Sequence, residues 1–305
     1  MIVGKLLDNM KMYQKFGLIV LLFLITLFAP LRLLIEQKNV DVEFAAKEIA
    51  GVDYIRPLQA LLERLPEHQA LVSQYADGAS AQARDVIKAR QQSIDEAFKI
   101  LESMDQKYQG YFSASDKISD LKNIWQETKF GVLALKPVES DEIHSQMVAK
   151  TRDIISYVGG ASNLILDPGF DACCLIDSFI LKTPQAEELT AKVMELGTAA
   201  AKKHQLSNDD RVRIIIGTTN LRAAISELES VLKTAVAKNA SGRLKQVIEL
   251  PASETIRATR DFISLIDKKI ISESTGSVSL EEISGSGQKA LDFQFRLQAL
   301  SSIEL

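Results

Sequence analysis

Residues 16–31 read FGLIVLLFLITLFAPL, sixteen positions without a charge, and Leu33, Leu34 and Ile35 extend the apolar run beyond a single Arg32. A helix that crosses a bilayer needs about 20 apolar residues. Arg32 can lay its stem along the helix and lift its guanidinium to the interface, so the span reads as 16–35. A cleaved signal sequence is the alternative, with an apolar core of about 7–15 residues and a small-x-small cleavage site. The run here is longer, and Phe28-Ala29-Pro30 makes a poor cleavage site, so the segment reads as an uncleaved anchor.

The flanks set its direction. Lys5, Lys11 and Lys15 precede the span against Asp8 alone, whereas Arg32 and Lys38 behind it are offset by Glu36, Asp41 and Glu43. The positive-inside rule then places 1–15 in the cytoplasm and 36–305 outside the inner (cytoplasmic) membrane, with a single pass. A second span is not expected: the longest later uncharged stretch, 154–166, has 13 residues and includes Tyr157, Gly159, Gly160 and Asn163.

Beyond the anchor, apolar residues recur three and four apart. Val42, Ala45, Ile49 and Val52 form one stripe, continued by Leu58, Leu61, Leu65 and Val72; Ile214, Leu221, Ile225, Leu228 and Leu232 form another. That period belongs to amphipathic helices, and no alternating run is long enough for a sheet. The fold class is therefore all-α: an N-terminal transmembrane helix followed by an elongated antiparallel helical bundle. One four-helix bundle of this length would need helices of roughly 90 Å, so two stacked (bimodular) bundles are expected.

Breaks are predicted at Asp77-Gly78, Gly110, Pro137, Gly159-Gly160 and 239–242. Helices are expected over 81–107, 125–133, from a Ser140 cap to Val158, from Asp167-Pro168 onward, from a Ser207 cap to Lys238, and over 251–271. Pro57 and Pro66 should kink or interrupt the first helix. The Ser- and Gly-rich 272–287 reads as a loop before a last helix over 288–305.

Composition narrows the function. The chain is 46% hydrophobic and 25% charged, which argues against disorder. A net charge of -4 offers no basic excess for nucleic acid. The two cysteines, Cys173 and Cys174, are adjacent and form no disulfide framework. His68, His144 and His204 lack a second ligand at helical metal spacing, and no nucleophile elbow, phosphate loop or dinucleotide fingerprint occurs. Neither an enzyme nor a metal or cofactor is expected.

Two stretches concentrate polar groups on apolar helices. One is Glu48-x-x-Gly51-x-x-Tyr54-x-x-Pro57, running on to His68; the other is Ser162-Asn163-Leu164-Ile165-Leu166-Asp167-Pro168-Gly169-Phe170-Asp171, followed by Cys173, Cys174 and Asp177. Read structurally, the first is a proline-kinked helix with a core tyrosine, and the second a helix start capped by Asp167 with Asp171 at the positive dipole end. Read functionally, Tyr54, Arg56, His68, Asp167, Asp171 and Asp177 line a pocket between helices. There Arg56, Arg64 or Arg152 would clamp a carboxylate.

The same stretches resemble the sensory regions of bacterial methyl-accepting chemotaxis proteins and related transmembrane sensor kinases. Those regions carry an E-x-x-G-x-x-Y-x-x-P…H-R stretch and a later S-N-L-x-L-D-P-D-x-D-S-Y-Y-L-M-D stretch. Glu48, Gly51, Tyr54, Pro57 and His68 match the first; Ser162, Asn163, Leu164, Leu166, Asp167, Pro168, Asp171, Leu175 and Asp177 match the second. Ala290-Leu291-Asp292 and Leu297 are similar to the family's last sensory helix. Gln69, Gly169, Cys173 and Cys174 depart from its arginine, aspartate and paired tyrosines. The resemblance implies a ligand-sensing domain for an organic acid, amino acid or anion, working as a homodimer or beside a partner receptor. It also implies a sensory half that lacks the second membrane helix, the relay and the methylated signalling hairpin. A truncated receptor that dimerises but senses nothing is the alternative.

Overall fold

Apolar side chains three and four apart turn to common helix faces, and the computed structural model, which describes residues 11–76, 81–164, 170–202, 206–272 and 279–305, is accordingly all-α. No strand occurs among the described residues. The helices are α1 (Met12–Ala76), α2 (Ala81–Lys107), α3 (Ser115–Gly131), α4 (Pro137–Ala161), α5 (Phe170–Asp177), α6 (Thr183–Ala201), α7 (Asn208–Lys238), α8 (Arg243–Val247), α9 (Glu249–Ile266) and α10 (Leu280–Glu304). A π-helical turn, Ser178–Lys182, joins α5 to α6, and another, Asp267–Ser272, follows α9.

The chain divides after Lys47 into two units. Within the first, α1 carries the apolar run with its side chains exposed, Phe23 at 69% and Phe28 at 59%, and is long and apolar enough to cross a membrane. Arg32 pairs with Glu36 one turn on, at 2.9 Å.

The second unit begins at Glu48 and buries the rest of α1. Tyr54, Leu58, Leu61 and Leu65 join Phe98, Leu101, Leu121, Trp125 and Ile154 in one core. A second core gathers Ala186, Leu228, Leu232, Ile248 and Leu297, and a third Val193, Leu221, Phe262, Ile266 and Ala290. Here α10 packs on α6 and α9, while α7 packs on α5, α6 and α9. Fully burying each Leu, Ile or Phe side chain contributes about 1.5–3 kcal/mol, and that burial offsets weak local signals.

Helix ends follow local chemistry where a cap is present. Ser207 Oγ accepts from Asp210 N at 3.1 Å and starts α7 as expected, and Asn239 with Gly242 at φ +68° ends it. Other ends differ from the prediction. The first helix runs without interruption through Pro57 and Pro66; each proline loses one backbone hydrogen bond, and the buried leucines around them outweigh that loss. The fourth helix starts at Pro137, not Ser140, with Lys136 N donating to Glu139 Oε2 at 3.2 Å, and it continues through Gly159-Gly160. The third begins ten residues before Trp125, at Ser115. The expected loop over 272–287 is helical from Leu280, because Ser279 Oγ accepts from Glu282 N at 3.1 Å and starts α10.

Candidate functional site along α1

Successive turns of α1 present polar groups to the surrounding helices. At the first, Gly51 lies under the end of α4. A Cβ there would fall 2.3 Å from Ser162 Cβ and Oγ and 3.1 Å from Leu164 Cδ1, so only glycine allows this approach. Ser162 N closes the last turn of α4 on Val158 O at 2.8 Å. Asn163, at φ 65°, turns the chain out of the helix, a conformation asparagine tolerates, and Leu164 enters the core. The two stretches singled out in the sequence therefore meet at Gly51.

One turn on, Tyr54 is fully buried and its hydroxyl donates to Asp105 Oδ1 at 2.6 Å. Asp105 Oδ2 accepts from Ser115 Oγ at 2.7 Å. Burial, then Asp105, push the tyrosine hydroxyl well above its usual range, so it acts as a fixed donor. Beside it Asp53 accepts from Tyr108 at 2.7 Å, Arg56 at 3.3 Å and Lys107 at 3.4 Å. Burial works against the Asp53 charge, but these bonds and the two cations outweigh it and hold the carboxyl below its usual range. Arg56, about half exposed, also donates to the Ser302 carbonyl at 2.7 Å and ties α1 to α10.

Further along, Glu63 and Glu67 are drawn up by burial, against the charges of Arg64 and Arg90. Arg64 donates to the Ser93 carbonyl at 2.6 Å, and Arg90 pairs with Glu67 at 2.7 Å.

At the next turn His68 and His144 are both fully buried, with His68 Nδ1 2.8 Å from His144 Nε2. Their tautomers follow from the ends of the chain. Gln91 Nε2 donates to Lys129 O and to His68 Nε2, each at 3.3 Å, so His68 carries its proton on Nδ1 and gives it to His144 Nε2. His144 must then be protonated on Nδ1, which donates to Ser140 O at 2.7 Å. Trp125 stands edge-on to His68 at 5.2 Å. Burial, then the adjoining His144 ring and the Arg90 charge, hold His68 down to about 3, and burial holds His144 down as well. The pair is a neutral relay with every ring nitrogen bonded. The spacing that made the histidines look isolated hid a contact between residues 76 positions apart.

The other predicted residues lie elsewhere. Asp171, on α5, accepts from Asn239 at 2.9 Å, and that bond holds its carboxyl below the usual range. Asp177 ends α5 half-buried, within electrostatic reach of Cys174 and Lys182. Asp167 lies outside the described residues, as does His204. Fourteen residues of helix separate Tyr54 from His68, roughly 21 Å, so these two do not share a pocket. A small recess, open to solvent, is lined by Val72, Tyr75, Val132, Leu135, Ser140 and Asp141. None of the predicted ligand residues lines it. Arg152 pairs with Glu188. No group of three or more His, Cys, Asp or Glu among the described residues is arranged to hold a metal ion.

The chain matches no protein-family model, no curated protein and no solved structure.

Proposed function

We propose that this chain is the membrane-anchored sensory portion of a chemoreceptor-like signalling protein, with 36–305 outside the cytoplasm as two stacked antiparallel bundles that work as a homodimer. The observation that carries the reading is the seat of Gly51 against Ser162 and Leu164, 2.3 and 3.1 Å from where a Cβ would stand. Two stretches about 110 residues apart in sequence, each with the residue pattern of such receptors, act as one packed unit. The apolar run of α1 supports the anchor. On this reading a small polar ligand alters the polar seam along α1, and a helix shift of an ångström or two transmits the change.

A second reading, a helical interaction protein that binds no small molecule, draws on a different observation. The side chains expected to hold ligand already hold protein: Tyr54 on Asp105, Arg56 on Ser302, His68 on His144 and Asp171 on Asn239.

A thermal-shift screen of the full chain in lipid nanodiscs, against organic acids, amino acids and inorganic anions, separates the two. A ligand at a hundredfold excess over its Kd stabilises the folded state by about 2.7 kcal/mol. A saturable shift that Tyr54→Phe or Asp171→Asn weakens supports the sensor. Silence across the panel from a cooperatively melting protein favours the interaction protein.

A further inference from the structure

We propose that Glu187 is a proton-operated switch that decides which carboxylate Arg152 holds. Two successive glutamates on α6 point in different directions, since neighbours on a helix are about 100° apart. Glu188 is half exposed and pairs with Arg152 from α4. Glu187 is only 5% exposed, and its Oε1 has no hydrogen-bond partner. A buried carboxylate left in this condition is costly, and the group escapes the cost by keeping its proton.

The interior around it is polar, and its donors are committed, although Gln294 Oε1 is itself without a partner. On the same face of α6, Thr190 Oγ1 accepts from Gln294 of α10 at 3.0 Å, and Gln294 also donates to Thr259 of α9 at 3.0 Å. Gln298 is committed to the Phe179 carbonyl at 3.3 Å. Charge reaches Glu187 from two helices. Glu63 of α1 opposes its ionisation and Arg152 favours it, while burial, the largest influence, carries the carboxyl up to about 8. Glu63 is itself set among Arg64, Arg90 of α2, Glu67 and Asp292 of α10, and those two cations are already engaged, Arg64 with the Ser93 carbonyl and Arg90 with Glu67. Asp153 adds to the field on Arg152.

Arg152 is thus the cation placed to answer a new charge on Glu187. Its side chain is one-third exposed, and its present partner lies on the outer surface of the same helix. While Glu187 holds its proton, Arg152 stays on Glu188. Once the proton leaves to solvent, the buried carboxylate draws the guanidinium inward by one residue along α6, tightening α4 against α6. This device does not depend on the sensory reading: it requires neither a ligand nor a membrane.

The test follows Arg152 in the full chain in nanodiscs, through its ¹³Cζ resonance assigned by Arg152→Lys. From pH 6 to 9.5 that resonance is expected to move in one titration centred near 8, and to stay fixed in Glu187→Gln. A resonance that does not move in the wild type, or that still moves in Glu187→Gln, overturns the proposal. If Glu187→Gln fails to fold, glutamate ¹³C carboxyl spectra of the wild type decide the matter. A carboxyl titrating together with Arg152 supports the switch, and no carboxyl titrating above pH 6 overturns it.

Discussion

At the scale of single residues, the histidine relay shows how burial fixes chemistry. Each ring in the series Gln91, His68, His144, Ser140 donates one bond and accepts one, which only neutral imidazoles can do. A second proton on His68 would point a donor at the Gln91 amide. Protons therefore prefer the unfolded chain, and stability is lost as pH falls from about 6.5. With His68 held to about 3, the loss from this ring alone is about 2 kcal/mol at pH 5. Glu187 works the other way, its raised carboxyl losing stability as pH climbs from 4.5 to about 8. The measurement is therefore denaturant unfolding at pH 7 and pH 5 of Glu187→Gln with Glu63 and Glu67 also changed to Gln, because those two raised carboxyls would likewise gain stability in acid; there the acid value should be lower by about that amount. Equal stability at the two values would mean that the rings take up protons freely and that the relay does not form. Sequence marked His68 as a polar residue on an apolar helix. It could not supply His144, because helical periodicity describes one helix at a time and says nothing about which distant turn faces it.

Between residue and molecule, the helices show what composition conceals. The run Ser284-Gly285-Ser286-Gly287 has linker chemistry, yet it lies inside α10. Gly287 explains the exception. A Cβ there would come within 2.6 Å of Met194 Sδ and 3.2 Å of Met194 Cβ, so the close approach of α6 and α10 at Met194 depends on the position being bare. Gly285 faces open space. The two glycines should thus respond oppositely to alanine. Gly285→Ala gains the helix propensity that glycine lacks, roughly 0.5–1 kcal/mol. Gly287→Ala forces Met194 aside and costs about 1–3 kcal/mol by overpacking. Chemical denaturation of both variants checks the pair, and stabilisation of both would show that α6 and α10 do not meet at this register. Elsewhere the elements were legible wherever a boundary is local chemistry. The Lys107 end of α2, just ahead of Gly110, and the Ser207 start of α7 follow from the residues beside them, whereas the Asp77-Gly78 break lies outside the described residues. The starts of α3, α4 and α10 differ from expectation where local signals compete: Trp125 and Ser140 offer later starts than Ser115 and Pro137, and the Ser-Gly run outweighs the Ser279 cap in the pattern.

For the molecule as a whole, charge asymmetry around one apolar run predicts the orientation, and an exposed thiol can report sidedness. If residues 16–35 cross the membrane with the lysines inside, everything after Lys38 lies on the far side. Cys173 is exposed, whereas Cys174 is partly buried and its thiol is raised by burial, then by Cys173 and the nearby aspartates. Thiolate is the reactive form, so Cys173 should react first with a maleimide. A membrane-impermeant maleimide added to intact spheroplasts expressing the full chain is expected to label Cys173 before lysis. In a Cys173→Ser, Cys174→Ser background, Lys11→Cys should label only after lysis. The reverse pattern would invert the orientation, and labelling of both positions in intact cells would remove the span. Leu24→Arg extends the same logic to energy. A central arginine disfavours insertion by about 2.5–3.5 kcal/mol, so this variant should shift from the carbonate-resistant membrane fraction towards the supernatant. A chain held only by peripheral contacts would leave the membrane in carbonate whether or not Leu24 were replaced, so the contrast between the two chains, not the behaviour of either alone, decides whether the run at 16–35 is an anchor.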